Sequence, residues 1–402
     1  MRRLVLAAGI LLASAPNSRA QEIPDPAAEA RIHFGPLALT PTLALVNAGM
    51  DTNVFNEPTF AGPKRDFTIT FEPKADWWLR MGPTWFLGNV TEGLVYYDKY
   101  ADQRSINGFY KGGWLVPLTR LTTQVDGSYL TTRDRPGFEI DERARRFETT
   151  VDGSVEVRAL SRTFVGIKAK RQEIEYDAGA TFQEESLRVQ LNRTVTEGAL
   201  TFRHELTPLT SLTVDVQREQ ARFKFAPLRD ADSTQIIAGV QFDPYALLKG
   251  SATFGYRDFK PRVSGLPKYK GSTAAIDLTY LALVSTKIMV RGTRDVQYSY
   301  DINQPYYLQT GISGEVMQKI FGPVDIVGRA GFATLDYRDR EGAEVLVENR
   351  SDSVRLYGGG IGYRIGKDVR LGFNLDYQKR ESQVPTRQYE GFRCGTSVTY
   401  GL

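Results

Sequence analysis

The 402-residue chain contains a single cysteine, Cys394, which excludes an internal disulfide framework. Two histidines, His33 and His204, leave little from which to build a transition-metal site. No apolar run reaches the length of about 20 residues that a helix needs to cross a bilayer. A mean hydropathy of −0.33 with 24% charged residues points the same way, and a helical membrane protein is excluded. Neither sign of charge dominates. The formal charge of +4 falls close to neutrality once Arg2, Arg3 and Arg19 are set aside, which is too balanced for a nucleic-acid footprint. Tryptophan is scarce, and Trp77, Trp78, Trp85 and Trp114 are confined to one short stretch.

Met1-Arg2-Arg3, the apolar run from Leu4 to Ala13, and Ser18-Arg19-Ala20 together have the form of a secretory signal peptide cut after Ala20. The expected organisation is a leader over 1–20, a periplasmic lead-in over 21–36 that is too short to plug a barrel, and one unit over 37–402. The lead-in carries Pro24 and Pro26.

What the chain does have is a beat of about 40 residues, each a short turn between two long alternating strands. The turns are Met81–Thr84, Pro117–Arg120, Ala159–Arg162, Thr207–Thr210, Asp243–Ala246, Leu283–Thr286, Ile320–Pro323 and Ile365–Asp368. The opposite strand ends carry longer, charged loops. Short turns at one end and long loops at the other mark a transmembrane β-barrel. A soluble sandwich or propeller would use strands of about 5–6 residues, whereas these stay in phase for about 10–14, the length of a tilted crossing. The expected fold is all-β: an antiparallel up-and-down barrel of 18 strands, with 16 as the alternative. The strands are 37–48, 66–80, 84–98, 105–117, 121–132, 146–158, 163–176, 194–206, 211–223, 233–242, 248–258, 272–282, 286–298, 306–318, 324–338, 352–364, 369–380 and 388–400. Strand spacing and tilt give a radius of roughly 18 Å, a bore that needs water, an inserted loop or a cargo to fill it.

The alternation assigns faces. Phe67, Ile69, Phe71, Ala75 and Trp77 oppose Thr68, Thr70, Glu72, Lys74 and Asp76, and Val151, Val155 and Val157 oppose Asp152, Ser154, Glu156 and Arg158. With no helix to cover the apolar faces, lipid is their simplest partner. The lumen-lining candidates are Glu72, Lys74, Asp76, Arg80, Asp152, Glu156, Arg158, Lys168, Asp215, Asp277, Arg291, Asp295, Arg329, Arg355, Arg370 and Arg393. Both signs alternate along this wall, which fits a solvated, partly paired surface better than a basic ladder. Trp77, Trp85 and Trp114 are candidates for an aromatic girdle at the short-turn end, while Trp78 should face inward.

The densest loop runs from Arg133 to Arg146, and Arg133, Arg135, Glu139, Asp141 and Arg145 are the candidates for a lumen constriction. Catalysis is not expected. His33 falls in the lead-in and His204 points by phase toward lipid near a short turn, so no nucleophile–His pair forms at the outer rim. Gly358-Gly359-Gly360-Ile361-Gly362 lacks the spacing and following helix of a nucleotide loop. Asp51 with Asn53, or Asp230 with Asp232, would make only an incomplete calcium set. No cofactor is expected.

Arg393-Cys394-Gly395-Thr396-Ser397-Val398-Thr399-Tyr400 resembles the signal read by the barrel-assembly machinery, with the usual final aromatic displaced by Gly401-Leu402. The loops Asp51–Pro58, Thr131–Arg146, Tyr176–Phe182 and Pro227–Ser233 resemble those of the Putative beta-barrel porin 2 family of Gram-negative outer-membrane proteins. Some members of that family are associated with exopolysaccharide secretion. The resemblance therefore implies an outer-membrane exit for a polymer, with periplasmic polysaccharide export proteins as partners. The residues themselves point to a porin-like channel in contact with outer-membrane lipid and lipopolysaccharide. General diffusion of small solutes, or a closed structural or adhesive barrel, are the alternatives.

Overall fold

In the computed structural model, residues 25–28, 30–244, 246–282 and 285–401 are described; the expected leader over 1–20 and residues 21–24 of the lead-in lie outside them. Eighteen long antiparallel strands, from Leu37–Asp51 to Tyr389–Tyr400, close into a barrel. Their ends fall within three residues of those expected. Each strand pairs with its sequence neighbours, and closure comes from the first and last strands, in register from Leu43↔Tyr400 to Asp51↔Arg393. A bulge interrupts the first strand at Val46–Ala48, where Asn47 adopts φ 55 and its carbonyl accepts a bond from Thr68 Oγ1 at 3.1 Å. Extra residues of this kind increase twist and help a flat sheet curl.

Tight turns join the strands at one end. Gly82 and Gly322 hold them at φ 60 and φ 50, a left-handed conformation that residues with a Cβ rarely adopt. Between the turns the period of two is kept, and the outer surface is a band of apolar side chains. Val151, Ile167, Leu200, Phe254, Ile312 and Phe373 are all exposed on it. A soluble protein does not present so continuous an apolar band; in a bilayer it is the lipid contact.

The long-loop end departs from this plan. Pairing between Tyr269–Ala282 and Thr286–Tyr298 stops at Ala274↔Arg294, although both strands continue beyond it. Past that point Val296, Tyr306 and Leu308 pack with Phe259 and Tyr269. Tyr306, Tyr307 and Leu308 are buried in succession, so both faces of this strand end are covered and the alternation is lost. A second apolar cluster, Tyr307, Leu335, Tyr337 and Val354, lies beside Phe138 of the Arg133–Arg145 segment. Protein occupies part of the mouth at this end.

The strand phase can be tested by a pair of substitutions. Val151 is outward and exposed, while its neighbour Asp152 faces inward, directly opposite Asp126. Val151→Arg should destabilise the barrel in lipid vesicles by roughly 2–4 kcal/mol, the penalty of a cation on the lipid face near the midplane. Asp152→Arg should be nearly neutral. Urea unfolding followed by heat-modifiable gel mobility measures both, and equal destabilisation would mean that the phase of this strand is wrong.

Candidate functional site

The inner wall at mid-depth is polar and largely ion-paired. Lys74 meets Asp76 at 3.1 Å, Arg203 meets Glu156 at 2.5 Å, Lys168 meets Asp215 at 3.3 Å and Arg291 meets Asp277 at 3.7 Å. Arg257 bridges Glu219 and Asp295, Arg329 bridges Glu315 and Asp376, and Arg370 holds Asp325 at 2.6 Å. Glu72 borders a lumen cavity, Arg80 lies over the Trp85 ring and Arg158 over the Phe164 ring. Arg393 reaches Asp51 at 2.7 Å across the seam that closes the barrel. The water-exposed pairs among these, such as Lys168 with Asp215 and Arg291 with Asp277, add little stability each. Their effect is to cancel local fields along the bore.

Two expectations fail. Arg355 points outward: Val354 beside it is fully buried on the inner side, and Arg355 pairs instead with Glu381 at 3.1 Å on the outer face. At this place the inner face meets protein rather than water, so the apolar residue takes it and the charge goes outside. Trp85 is not part of an outward girdle. It is buried with Ala27, Ala38, Trp78 and Leu115 inside the short-turn mouth. The lead-in enters that mouth through Ala27, despite its length, and supplies an apolar partner that the alternation could not reveal. Trp114 is exposed on the outer face and stacks on Phe86 at 6.2 Å, and the Trp77 ring lies over Gly88.

The central feature is the segment between the strands Leu121–Thr132 and Arg146–Leu160. It leaves one side of the barrel and is bonded to residues on the other. Arg380 donates through Nη1 to the Phe138 carbonyl at 2.6 Å and to Asp141 at 2.9 Å, and through Nη2 to Asp352 at 2.6 Å. Arg387 adds a bond to Asp141 at 3.2 Å and one to the Glu139 carbonyl. Arg350 completes the group, pairing with Asp352 and stacking 4.3 Å from the Tyr337 ring. From another side Arg135 donates to the Asp141 carbonyl at 2.7 Å and the Val54 carbonyl at 2.8 Å, and Asn56 to the Asp141 carbonyl at 3.1 Å. Arg133 donates to the Asp102 carbonyl, while the carbonyl of Arg145 accepts from Asp177 N at 3.1 Å.

Apolar packing secures the same segment. Ile140 and Ala144 are buried against Ile174, Phe182, Leu187 and Leu191, the last three from the loop after Thr163–Tyr176. Burial of each large side chain is worth roughly 1.5–3 kcal/mol. Cavities of about 330 and 500 Å³ lie in the lumen, the second bordered by the segment through Asp134, Arg135 and Arg143. Arg291, Glu315, Arg329 and Asp376 line the first; Glu72, Thr91, Asn107 and Arg143 line the second.

Glu139 is buried at the end of the inward segment, accepting from Ser299 Oγ at 2.6 Å and from the Tyr300 amide at 3.2 Å. Burial pushes its carboxyl from 4.5 up to about 7, against the opposing pull of Ser299 and of the Arg387, Arg350 and Arg380 guanidiniums. Sequence alone identified this residue as a constriction candidate but not Ser299, Arg350, Asp352, Arg380 or Arg387. These anchors lie some 160–250 positions away along the chain, and no local pattern links them to it.

Two predictions follow from the anchors. Arg380→Ala leaves Asp141 and Asp352 short of a buried partner, a loss of about 3–5 kcal/mol. The expected readout is faster proteolysis within 133–145 in folded, detergent-solubilised barrel. Unchanged cleavage would show that the network does not hold the segment. Because the folded carboxyl of Glu139 binds its proton more tightly than the unfolded one, the stability it contributes is present below about 4.5 and lost as pH rises to about 7. The seated segment should therefore loosen across that window by on the order of 3 kcal/mol. Glu139→Gln should flatten the pH dependence of the same cleavage assay.

Comparison with known proteins sets this architecture in context. No curated protein matches the chain in sequence. Among solved structures it is similar to the FrpB iron transporter from Neisseria meningitidis, with 9% identity and a TM-score of 0.43 over 85% of this chain; it spans 62% of that chain's length. It is also similar to the outer membrane protein OpdK from Pseudomonas aeruginosa, with 10% identity, a TM-score of 0.49 and coverage of 90% of this chain and 98% of that one. A BenF-like porin from Pseudomonas fluorescens Pf-5 gives 10% identity and a TM-score of 0.47, covering 92% and 99% of the two chains. At such identities the likeness is one of barrel architecture alone. The family model described as Putative beta-barrel porin 2 matches residues 96–401, well over half of the chain, and the protein therefore belongs to that family of porin-like outer-membrane β-barrels.

Proposed function

We propose that this barrel is a channel for small polar solutes, narrowed by the Arg133–Arg146 loop, rather than an open exit for a polymer. The observation that carries this reading is the anchoring of the loop to Arg380, Arg387 and Ser299 on the far wall. A polymer exit needs a continuous wide bore, and here it would require breaking a buried ion-pair network. The alternating, paired charges of the wall favour weak discrimination between cations and anions. Exopolysaccharide export, which the family resemblance implies, would need a partner on the periplasmic side able to release the loop. Cleavage after Ala20 and insertion by the barrel-assembly machinery through residues 393–400 belong to the same reading.

Deleting residues 134–144 tests it. Single-channel conductance in planar bilayers should rise severalfold over the intact protein, and proteoliposomes should swell with oligosaccharides that the intact barrel excludes. Unchanged conductance would remove the loop from the conduction path. Absence of conductance from both proteins would favour a closed structural barrel.

A further inference from the structure

Between the 136–140 part of the inward loop and the barrel wall lies a third cavity, of about 220 Å³. Its lining includes Glu139, Arg146, Glu148, Tyr176, Arg193 and Tyr298. That volume is roughly seven times a water molecule's ~30 Å³ share of the liquid, enough for a small organic acid or a phosphate with some water.

Two carboxyls, Glu139 and Glu148, and two guanidiniums, Arg146 and Arg193, line it, but only Arg146 and Glu148 pair with each other. Arg146 is matched by Glu148 at 2.8 Å, and Glu148 also accepts from Gln172 at 2.9 Å. The Glu139 carboxylate is occupied by Ser299 and the Tyr300 amide. Among the described residues, no carboxylate lies within ion-pair distance of Arg193. It donates through Nη1 to the Leu191 carbonyl at 3.0 Å and lies 5.1 Å from the Tyr298 ring centre. Its Nε is buried without an acceptor, and so is the Tyr298 hydroxyl. Arg229 is close by: both it and Arg193 stack on the Phe223 ring, at 6.0 and 5.9 Å. It is 2% exposed, and two of its guanidinium nitrogens have no partner. Its guanidinium donates to the Ser299 carbonyl.

A guanidinium Nε and a tyrosine hydroxyl kept from water without an acceptor are unfavourable unless an anion in the cavity completes the set. By contrast, Arg203, Arg257, Arg329 and Arg380 each hold two carboxylates. We propose that the cavity between the inward loop and the wall is an oxyanion-binding site, taking the carboxylate or phosphate group of a small solute. Arg193 is the anchoring charge and the Tyr298 hydroxyl a second donor. One wall belongs to the loop and the others to the strands that carry Arg146, Ile174, Arg193 and Tyr298, so occupancy fastens the loop to the barrel. The inference stands whether or not the barrel conducts, because binding is measured without transport.

The test is calorimetric titration of the folded mature barrel in detergent micelles, at low salt and pH 7, with inorganic phosphate and separately with pyruvate. Saturable binding of either anion is expected, and which one binds identifies a phosphate or a carboxylate site. Arg193→Met should weaken it at least tenfold, Arg193→Lys by less, and Tyr298→Phe a few-fold. Lys224→Met removes a nearby cation that pairs with Glu175 and should leave the affinity unchanged. The proposal is overturned if neither anion binds the intact protein, if Arg193→Met binds as well as the intact protein, or if Lys224→Met loses as much. Heat-modifiable mobility checks folding. Should Arg193→Met fail to fold, unchanged affinity in both Arg193→Lys and Tyr298→Phe would overturn the proposal instead.

Discussion

A sheet lying in hydrocarbon cannot leave a strand edge unpaired, because no water is present to satisfy its free N–H and C=O groups. The rest of this structure depends on that constraint. It forces the first and last long strands together, and their register runs from Leu43↔Tyr400 to Asp51↔Arg393. The seam is reinforced at both ends: Arg393 pairs with Asp51, and Thr42 Oγ1 donates to the Gly401 carbonyl at 3.3 Å. The bulge at Asn47 lies on the same strand and adds twist where the sheet must meet itself.

Closure with eighteen strands also sets a circumference, and with it a bore too wide for wall side chains to fill. The protein meets that second constraint differently along its axis. At mid-depth the wall is polar and paired, as suits a water-filled space. At the long-loop end, protein takes the place of water, and the inner face turns apolar through Leu335, Tyr337 and Val354. At the short-turn end, Ala27 and Trp85 make a smaller apolar contact. One rule, that each face matches what it meets, accounts for the paired wall, for the outward Arg355 and for the inward Trp85.

The inward loop is held by charges that are expensive to bury and therefore exacting about their partners. Arg380 sits between Asp141 and Asp352 with its side chain fully buried. Such a network contributes less to net stability than its short distances suggest, but it strongly disfavours any arrangement that separates one partner. That is the property a constriction needs: a defined seat rather than a tight one. Glu139, a carboxyl kept from water at the same seat, makes the arrangement responsive to pH.

Much of this was legible in the chain. The alternation in Phe67–Asp76 and Val151–Arg158, and the short turns every 40 residues or so, are local properties. A strand's phase and a turn's conformation depend on neighbours a few residues apart, so barrel class, strand count and most strand faces could be read directly. The Arg133–Arg146 loop was conspicuous for its charge density, but its direction was not encoded in that density. Whether Glu139 and Asp141 point into the bore is decided by Ser299, Asp352, Arg380 and Arg387, which meet them only after the sheet has closed. For the same reason, Arg355 and Trp85 were misassigned by alternation alone. A period of two says that adjacent residues lie on opposite faces, but what covers each face is a long-range contact, and only the tertiary structure settles it.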